Sequence, residues 1–184
     1  MRLLLIILLF IGCTTQNNRR IRINEIGWTF EIPATMNFKD SAFDRVGNID
    51  KSFWDSSFDR QRLQLFNIQP KGDNYFNCIL FKDTSDYSTW EKATLTNSRF
   101  IFKEVLNQQN YKILDTTLSI YKIGSVNFHK EYFRYYNTKT KDTVCDYHFS
   151  RLHKDYDINI NVHYTDHEWG EQYLQIIKKS KFDD

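Results

Sequence analysis

The stretch Tyr156-Asp157-Ile158-Asn159-Ile160-Asn161-Val162-His163-Tyr164 decides the fold class. Its period is two: Tyr156, Ile158, Ile160, Val162 and Tyr164 fall on one side of an extended chain, and Asp157, Asn159, Asn161 and His163 fall on the other. A helix would scatter the same apolar residues around its circumference. This is a strand with one face on a core, and the polar row reads most simply as a solvated sheet face.

Upstream of it, Ile113 to Ile123, Val126 to Tyr136 and Thr143 to Leu152 are further extended segments. The connectors Gly124-Ser125, Asn137 to Asp142 and Lys154-Asp155 are too short for crossovers, so the four strands form an antiparallel meander. Before the meander, Ser88 and Glu91 have capping-box spacing, and Trp90, Ala93, Asn97, Ile101 and Val105 line one side of a helix reaching about Gln108, with Phe102 and Leu106 beside them. Arg62 to Ile68 and Tyr75 to Phe81 flank the turn Pro70-Lys71-Gly72-Asp73-Asn74 as a hairpin. Earlier still, Ile21, Ile23, Trp28, Phe30 and Ile32 mark two half-buried strands that end at Pro33. Residues 34–60 read as a long loop pinned by Phe38, Phe43, Phe53, Trp54 and Phe58.

Downstream, Thr165 and Glu168 form a second capping box with Tyr164 and Trp169 at the staple positions. Trp169, Tyr173, Ile176 and Ile177 continue as a helical stripe, Lys178 and Lys179 complement its carboxyl end, and Ser180 to Phe182 can add a short closing strand. The expected class is α+β: an antiparallel sheet of about six to eight strands, built from a hairpin and a meander, with two helices packed on it. Residues 20–184 make one such domain, preceded by residues 1–12 and a tether over 13–19.

This order of elements, opened by Gly27-Trp28-Thr29-Phe30-Glu31-Ile32-Pro33 and closed by a capped helix running into Ser180-Lys181-Phe182, resembles the PsbP/Mog1-type α/β/α sandwich. Members of that group include photosystem accessory subunits, a nuclear transport factor and many lipoproteins. The resemblance implies a binding protein rather than an enzyme, and it assigns no functional residue.

The amino terminus has a separate meaning. Arg2 is a minimal basic region, Leu3 to Ile11 form a short apolar core, and Gly12-Cys13 follow at once. That is the layout of an export signal, and it is far shorter than the roughly 20 apolar residues a membrane-crossing helix needs. Phe10-Ile11-Gly12-Cys13 resembles the lipobox of bacterial lipoproteins of the Bacteroidetes type, with Phe10 where Leu is usual. The resemblance implies a signal peptide over 1–12, a diacylglycerol thioether on Cys13 and further acylation such as palmitate. Thr14 after the cysteine implies delivery to the outer membrane, and the absence of acidic residues in Thr14 to Asn18 points to its periplasmic face. Two or more acyl chains hold a protein firmly at the bilayer.

Charge is nearly balanced, with 25 Lys and Arg against 23 Asp and Glu, and Arg2 leaves with the leader. Such a surface offers no field for nucleic acid. Aromatics are plentiful, with 15 Phe, 11 Tyr and 4 Trp, while 6 Gly and 2 Pro leave little room for disorder. Cys78 and Cys145 remain after Cys13; they form either a bridge allowed by an oxidising compartment or two separate buried thiols. Arg19, Arg20 and Arg22 can touch anionic head groups or stand as solvated strand positions.

Few residues offer chemistry. His163 and His167 are separated by the expected cap Thr165, so they share no helical face and read as exposed, unliganded histidines; no metal or cofactor is expected. Asp146, His148 and Ser150 share a strand face, a triad-like composition without any nucleophile motif around it. Tyr132, Arg134 and Tyr136 form a row suited to a partner or ligand surface, or to cover beneath the helices. The reading is a lipid-anchored, non-enzymatic binding or accessory module of the cell envelope, whose partners are membrane lipid through Cys13 and an envelope protein. The alternative is a carrier of a small apolar or sugar ligand with the Trp54/Phe58 loop as its lid. A hydrolase would need Asp146, His148 or His163 to converge in a cleft.

Overall fold

The computed structural model describes residues 18–36, 62–70, 72–107 and 110–183. In chain order these form β1 (Asn18–Ile23), β2 (Trp28–Pro33), β3 (Arg62–Ile68), β4 (Tyr75–Lys82), α1 (Tyr87–Asn107), β5 (Tyr111–Ile123), β6 (Val126–Asn137), β7 (Thr143–His153), β8 (Tyr156–Tyr164), α2 (His167–Lys179) and β9 (Lys181–Phe182). The leader with Cys13 and the aromatic loop with Trp54 and Phe58 lie outside the described residues, as do the side chains of Ile101, Phe102, Val105 and Leu106.

The meander forms as its short connections require: β5, β6, β7 and β8 lie side by side and antiparallel. The β3–β4 hairpin then adds to the free side of β8, giving a six-stranded sheet of order β3-β4-β8-β7-β6-β5. The first hairpin does not extend that sheet. Together with β9 it makes a second, three-stranded sheet of order β1-β2-β9, so the strands divide between two sheets instead of the single expected one. The cause is the alternation in β2, which gives Trp28, Phe30 and Ile32 a common apolar face that is buried by stacking on the large sheet.

Ile158, Ile160, Val162 and Tyr164 of β8 line the core with Phe76, Cys78 and Leu80 of β4, Phe66 and Ile68 of β3, Phe128 of β6 and Phe149 of β7. Over them sit the rings of the small sheet: Phe66 lies 5.9 Å from Trp28 and 5.2 Å from Phe30, and Trp28 stacks on Phe182 at 5.4 Å. Helix α2 shares this layer, with Tyr173 fully buried 5.6 Å from Phe76. Each such side chain contributes about 1.5–3 kcal/mol by leaving water. Gly124, in the β5–β6 turn, has φ 60°, and a Cβ there would stand 3.0 Å from the Phe182 nitrogen, so β9 crosses directly over it.

Helix α1 covers the opposite face of the large sheet, completing three layers. Its inner side is Trp90, Thr94 and Ser98, whereas Ala93 and Asn97 face solvent, one position away from the expected stripe. Both expected caps also move by one or two residues. Asp86, not Ser88, accepts the Thr89 amide at 3.0 Å and its hydroxyl at 2.7 Å. Asp166, not Thr165, accepts the Glu168 amide at 2.9 Å. An Asp carboxylate outcompetes a neighbouring hydroxyl because it is a charged acceptor at the positive end of the helix.

Cys78 and Cys145 are free. Cys78 pairs with Ile160 and Cys145 with Tyr164 on opposite sides of β8. They are thus separated by two strand spacings, roughly 10 Å, and by four residues along the strand, roughly 13 Å. A disulfide needs its Cα atoms within roughly 7 Å, so the bridge is excluded by the strand that lies between them. Burial instead pushes the Cys78 thiol well above its usual range.

Candidate functional site

The polar row of β8 is not a solvated face. Strand register sets His163 opposite Asp146 of β7 on one side and Tyr75 of β4 on the other; one step along, Asn161 lies opposite His148 and Asn77. Two polar rows therefore run across three adjacent strands, on the face that α1 occupies further along the sheet. His163 Nδ1 donates to Asp146 Oδ1 at 2.6 Å, and the Tyr75 ring stacks on the imidazole at 4.8 Å, nearly parallel. In the second row, Asn161 Nδ2 donates to Asn77 Oδ1 at 2.9 Å, which turns Asn161 Oδ1 toward His148 Nδ1 at 2.7 Å. That imidazole nitrogen is then the donor.

The β3–β4 turn closes the first row. Asp73 Oδ2 stands 3.3 Å from His163 Nε2, an ion-pair distance rather than a well-aimed hydrogen bond. Asn74 beside it is buried and accepts the amides of Thr165 and Asp166 at 3.0 and 3.1 Å, which ties the turn to the start of α2. From β6, Tyr135 lies close enough to Asp146 to feel its charge. The side chains of His163 and Asp146 are only 12% and 13% exposed, while that of Asp73 is 74% exposed and its charge is screened by water.

These contacts set the protonation. Burial works against a charged His163, but the hydrogen bond and charge of Asp146, aided by Asp73, outweigh it and raise the imidazole above its ordinary value. Tyr75 is pushed up to about 12 by burial and by Asp146 and Asp73, and Tyr135 is raised for the same first two reasons. The cluster is thus a proton-holding one: an imidazole with a carboxylate at each nitrogen, and two phenols that keep their hydrogens.

His163 is therefore not exposed as expected, whereas His167 is, 81% exposed and 4.0 Å from Glu171. Among the described residues no group of three His, Cys, Asp or Glu side chains is disposed to hold a metal ion. Asp146 and His148 do share a face, yet Asp146 turns to His163 and His148 to Asn161, so the triad-like composition with Ser150 does not assemble. Tyr132, Arg134 and Tyr136 lie on the other face of the sheet, Arg134 exposed and both tyrosines half-buried. The Tyr132 hydroxyl meets Cys145 Sγ at 3.8 Å and its ring lies 4.6 Å from Tyr147. Tyr75, Tyr135 and Asp73 carried no signal in the sequence, because only the pairing of β4 and β6, and the turn before β4, bring them to His163 and Asp146; Asn77 likewise reaches Asn161 only through the pairing of β4 with β8.

A second polar group seats α1. His129 Nε2 lies 3.0 Å from Glu91 Oε1 and 3.2 Å from the Tyr87 hydroxyl, and buried Glu131 accepts from Ser98. These bonds span helix and sheet and satisfy groups that would otherwise be buried unpaired.

No protein-family model matches the chain, and no curated protein sequence matches it. Among solved structures it is similar to the solution structure of cyanobacterial PsbP (CyanoP) from Synechocystis sp. PCC 6803, with 11% sequence identity over 94% of this chain and 96% of that one, at a TM-score of 0.53. The chain has a PsbP-like fold. At that identity the likeness concerns architecture and not function.

Proposed function

We propose that this protein is a lipid-anchored, non-enzymatic binding module of the cell envelope, held at the outer membrane through Cys13 and facing the periplasm, where it engages an envelope protein. One observation carries the non-enzymatic part: both nitrogens of His163 face carboxylates, at 2.6 and 3.3 Å. A general base needs an imidazole lone pair aimed at a nucleophile's proton; here Nδ1 is committed to Asp146, Nε2 faces Asp73, and among the described residues no hydroxyl or thiol is hydrogen-bonded to the ring. The anchor rests on Arg2, the Leu3 to Ile11 core and Gly12-Cys13. A sheet face with preset donors and acceptors suits recognition, since its polar groups are already ordered before a partner arrives.

Fractionation tests the anchor. Cys13→Ser should move the protein from membranes to the soluble fraction, and the mature amino terminus should carry the mass of a lipid-modified cysteine. A free thiol at that position, or unchanged membrane association of the variant, overturns it. Crosslinking in intact cells followed by mass spectrometry tests the binding role, which fails if no envelope protein copurifies.

The half-buried row of His148, Asn161, Asn77 and the Tyr75 ring favours a second reading, the carrier of a sugar. Amide hydrogen-bonding groups beside an aromatic plate are a polyol-binding combination. Chemical-shift changes confined to these residues on adding a glycan would favour it over protein contact.

A further inference from the structure

Strand β5 is the edge of the six-stranded sheet, 13 residues long, and no described strand pairs with its outer side. Natural edge strands are blunted by lysines, proline, bulges or brevity. Here the bulge sits at Leu114, toward one end, and Lys122 stands near the other; the run Asp115-Thr116-Thr117-Leu118-Ser119-Ile120-Tyr121 between them has no lysine and no proline. The edge of the small sheet is different, because β1 carries Arg19, Arg20 and Arg22. Within the unprotected run, Leu118 is 55% and Ile120 59% exposed, two of the largest apolar exposures among the described residues.

We propose that this edge is the interface for a second copy of the same chain, paired antiparallel through β5 into a continuous twelve-stranded sheet. The occupant follows from the sequence of the edge. A two-fold axis perpendicular to a sheet keeps each row of side chains on its own face, so a residue must meet one of the same parity. With the axis at Ser119, Leu118 of one copy lies opposite Ile120 of the other, twice over, and Thr117 opposite Tyr121. Lys122 meets Thr116 and Asp115 meets Ile123, so no like charges are opposed. Moving the axis by one residue spoils this: at Leu118, Ile120 meets Thr116, and at Ile120, Leu118 meets Lys122. Of these registers, the one centred on Ser119 alone sets all four exposed apolar side chains directly opposite an apolar partner. They lie on the same face as His129 and Glu131, beyond the inner side of α1, where each copy leaves them uncovered.

Sedimentation of the full-length chain in mild detergent, with Leu118→Lys/Ile120→Lys as the comparison, tests the surface. The wild type should be dimeric, and the double variant should weaken association on the order of 100-fold, with an unchanged circular dichroism spectrum because both side chains are already exposed. A second variant tests the register. Ser119→Cys meets itself across the axis at a separation a disulfide spans, so it should give a covalent dimer under mild oxidation. Thr116→Cys, facing Lys122, should not. A wild-type chain that stays monomeric up to about 100 μM, a dimer indifferent to the lysines, or a covalent dimer from the Thr116→Cys variant but not from Ser119→Cys would each overturn the proposal. So would a monomer that loses a different protein partner when the lysines are introduced.

Discussion

His163 is the residue at which burial, charge and hydrogen bonding meet. Its folded-state value is raised, so the proton it holds stabilises the fold at pH below the ordinary 6.5, and that contribution is lost as pH climbs through the folded value. Asp146→Asn removes the main compensation and leaves burial to dominate. The imidazole of His163 should then titrate at lower pH than in the wild type, as followed by its Hε1 resonance and assigned with His163→Gln. The loss of stability that the wild type shows above about pH 6.5 should shrink in the same variant, measured by urea unfolding at several pH values. An unchanged inflection would mean that Asp146 does not hold the proton in place. Alternation told which residues of β8 are polar and on one side; that this side is half-buried and paired depends on Asp146, Tyr75 and Asp73, which come from other parts of the chain.

At the scale of elements, the seat of α2 on β8 depends on a missing side chain. A Cβ at Gly170 would stand 2.5 Å from three atoms of the Tyr164 ring, which packs flat against the helix backbone. Gly→Ala usually favours a helix by about 1 kcal/mol. Here the clash must push apart a buried ring and the helix, at about 1–3 kcal/mol, so Gly170→Ala should be destabilising in urea unfolding despite its better propensity. A stabilised variant would show that the contact is loose. The helices themselves were legible from their periodicity, and α2 also from its basic end, but their starts were not: a capping box at Ser88 and Glu91 or at Thr165 and Glu168 is a local pattern, and Asp86 and Asp166 win by charge. The same holds for the inner side of α1, which sits at Trp90, Thr94 and Ser98 because Glu131 and His129 of β6 draw the helix toward them.

For the whole molecule, the two-residue strand β9 fastens the small sheet to the end of α2. Phe182 stacks on Trp28 and lies 5.2 Å from Phe128, so it touches both sheets at once. Phe182→Ala should cost about 3–5 kcal/mol, a large share of the stability of a domain this size, and should lower the urea midpoint accordingly. A midpoint within error of the wild type would show that the sheets hold together without it. By itself the sequence determined what depends on neighbours along the chain. The period of two assigned β1, β2 and β8 their apolar sides, the short connectors forced the meander of β5 to β8, and the apolar run before Cys13 carries the expectation of an anchor. Only the tertiary structure decided what lies beyond β8, that the first hairpin stacks on the sheet instead of widening it, that an intervening strand keeps Cys78 from Cys145, and that Tyr75, His163 and Asp146 form one row. Those outcomes join segments far apart in sequence, where the burial of large apolar faces chooses among several locally equivalent pairings and no nearby residue records the choice.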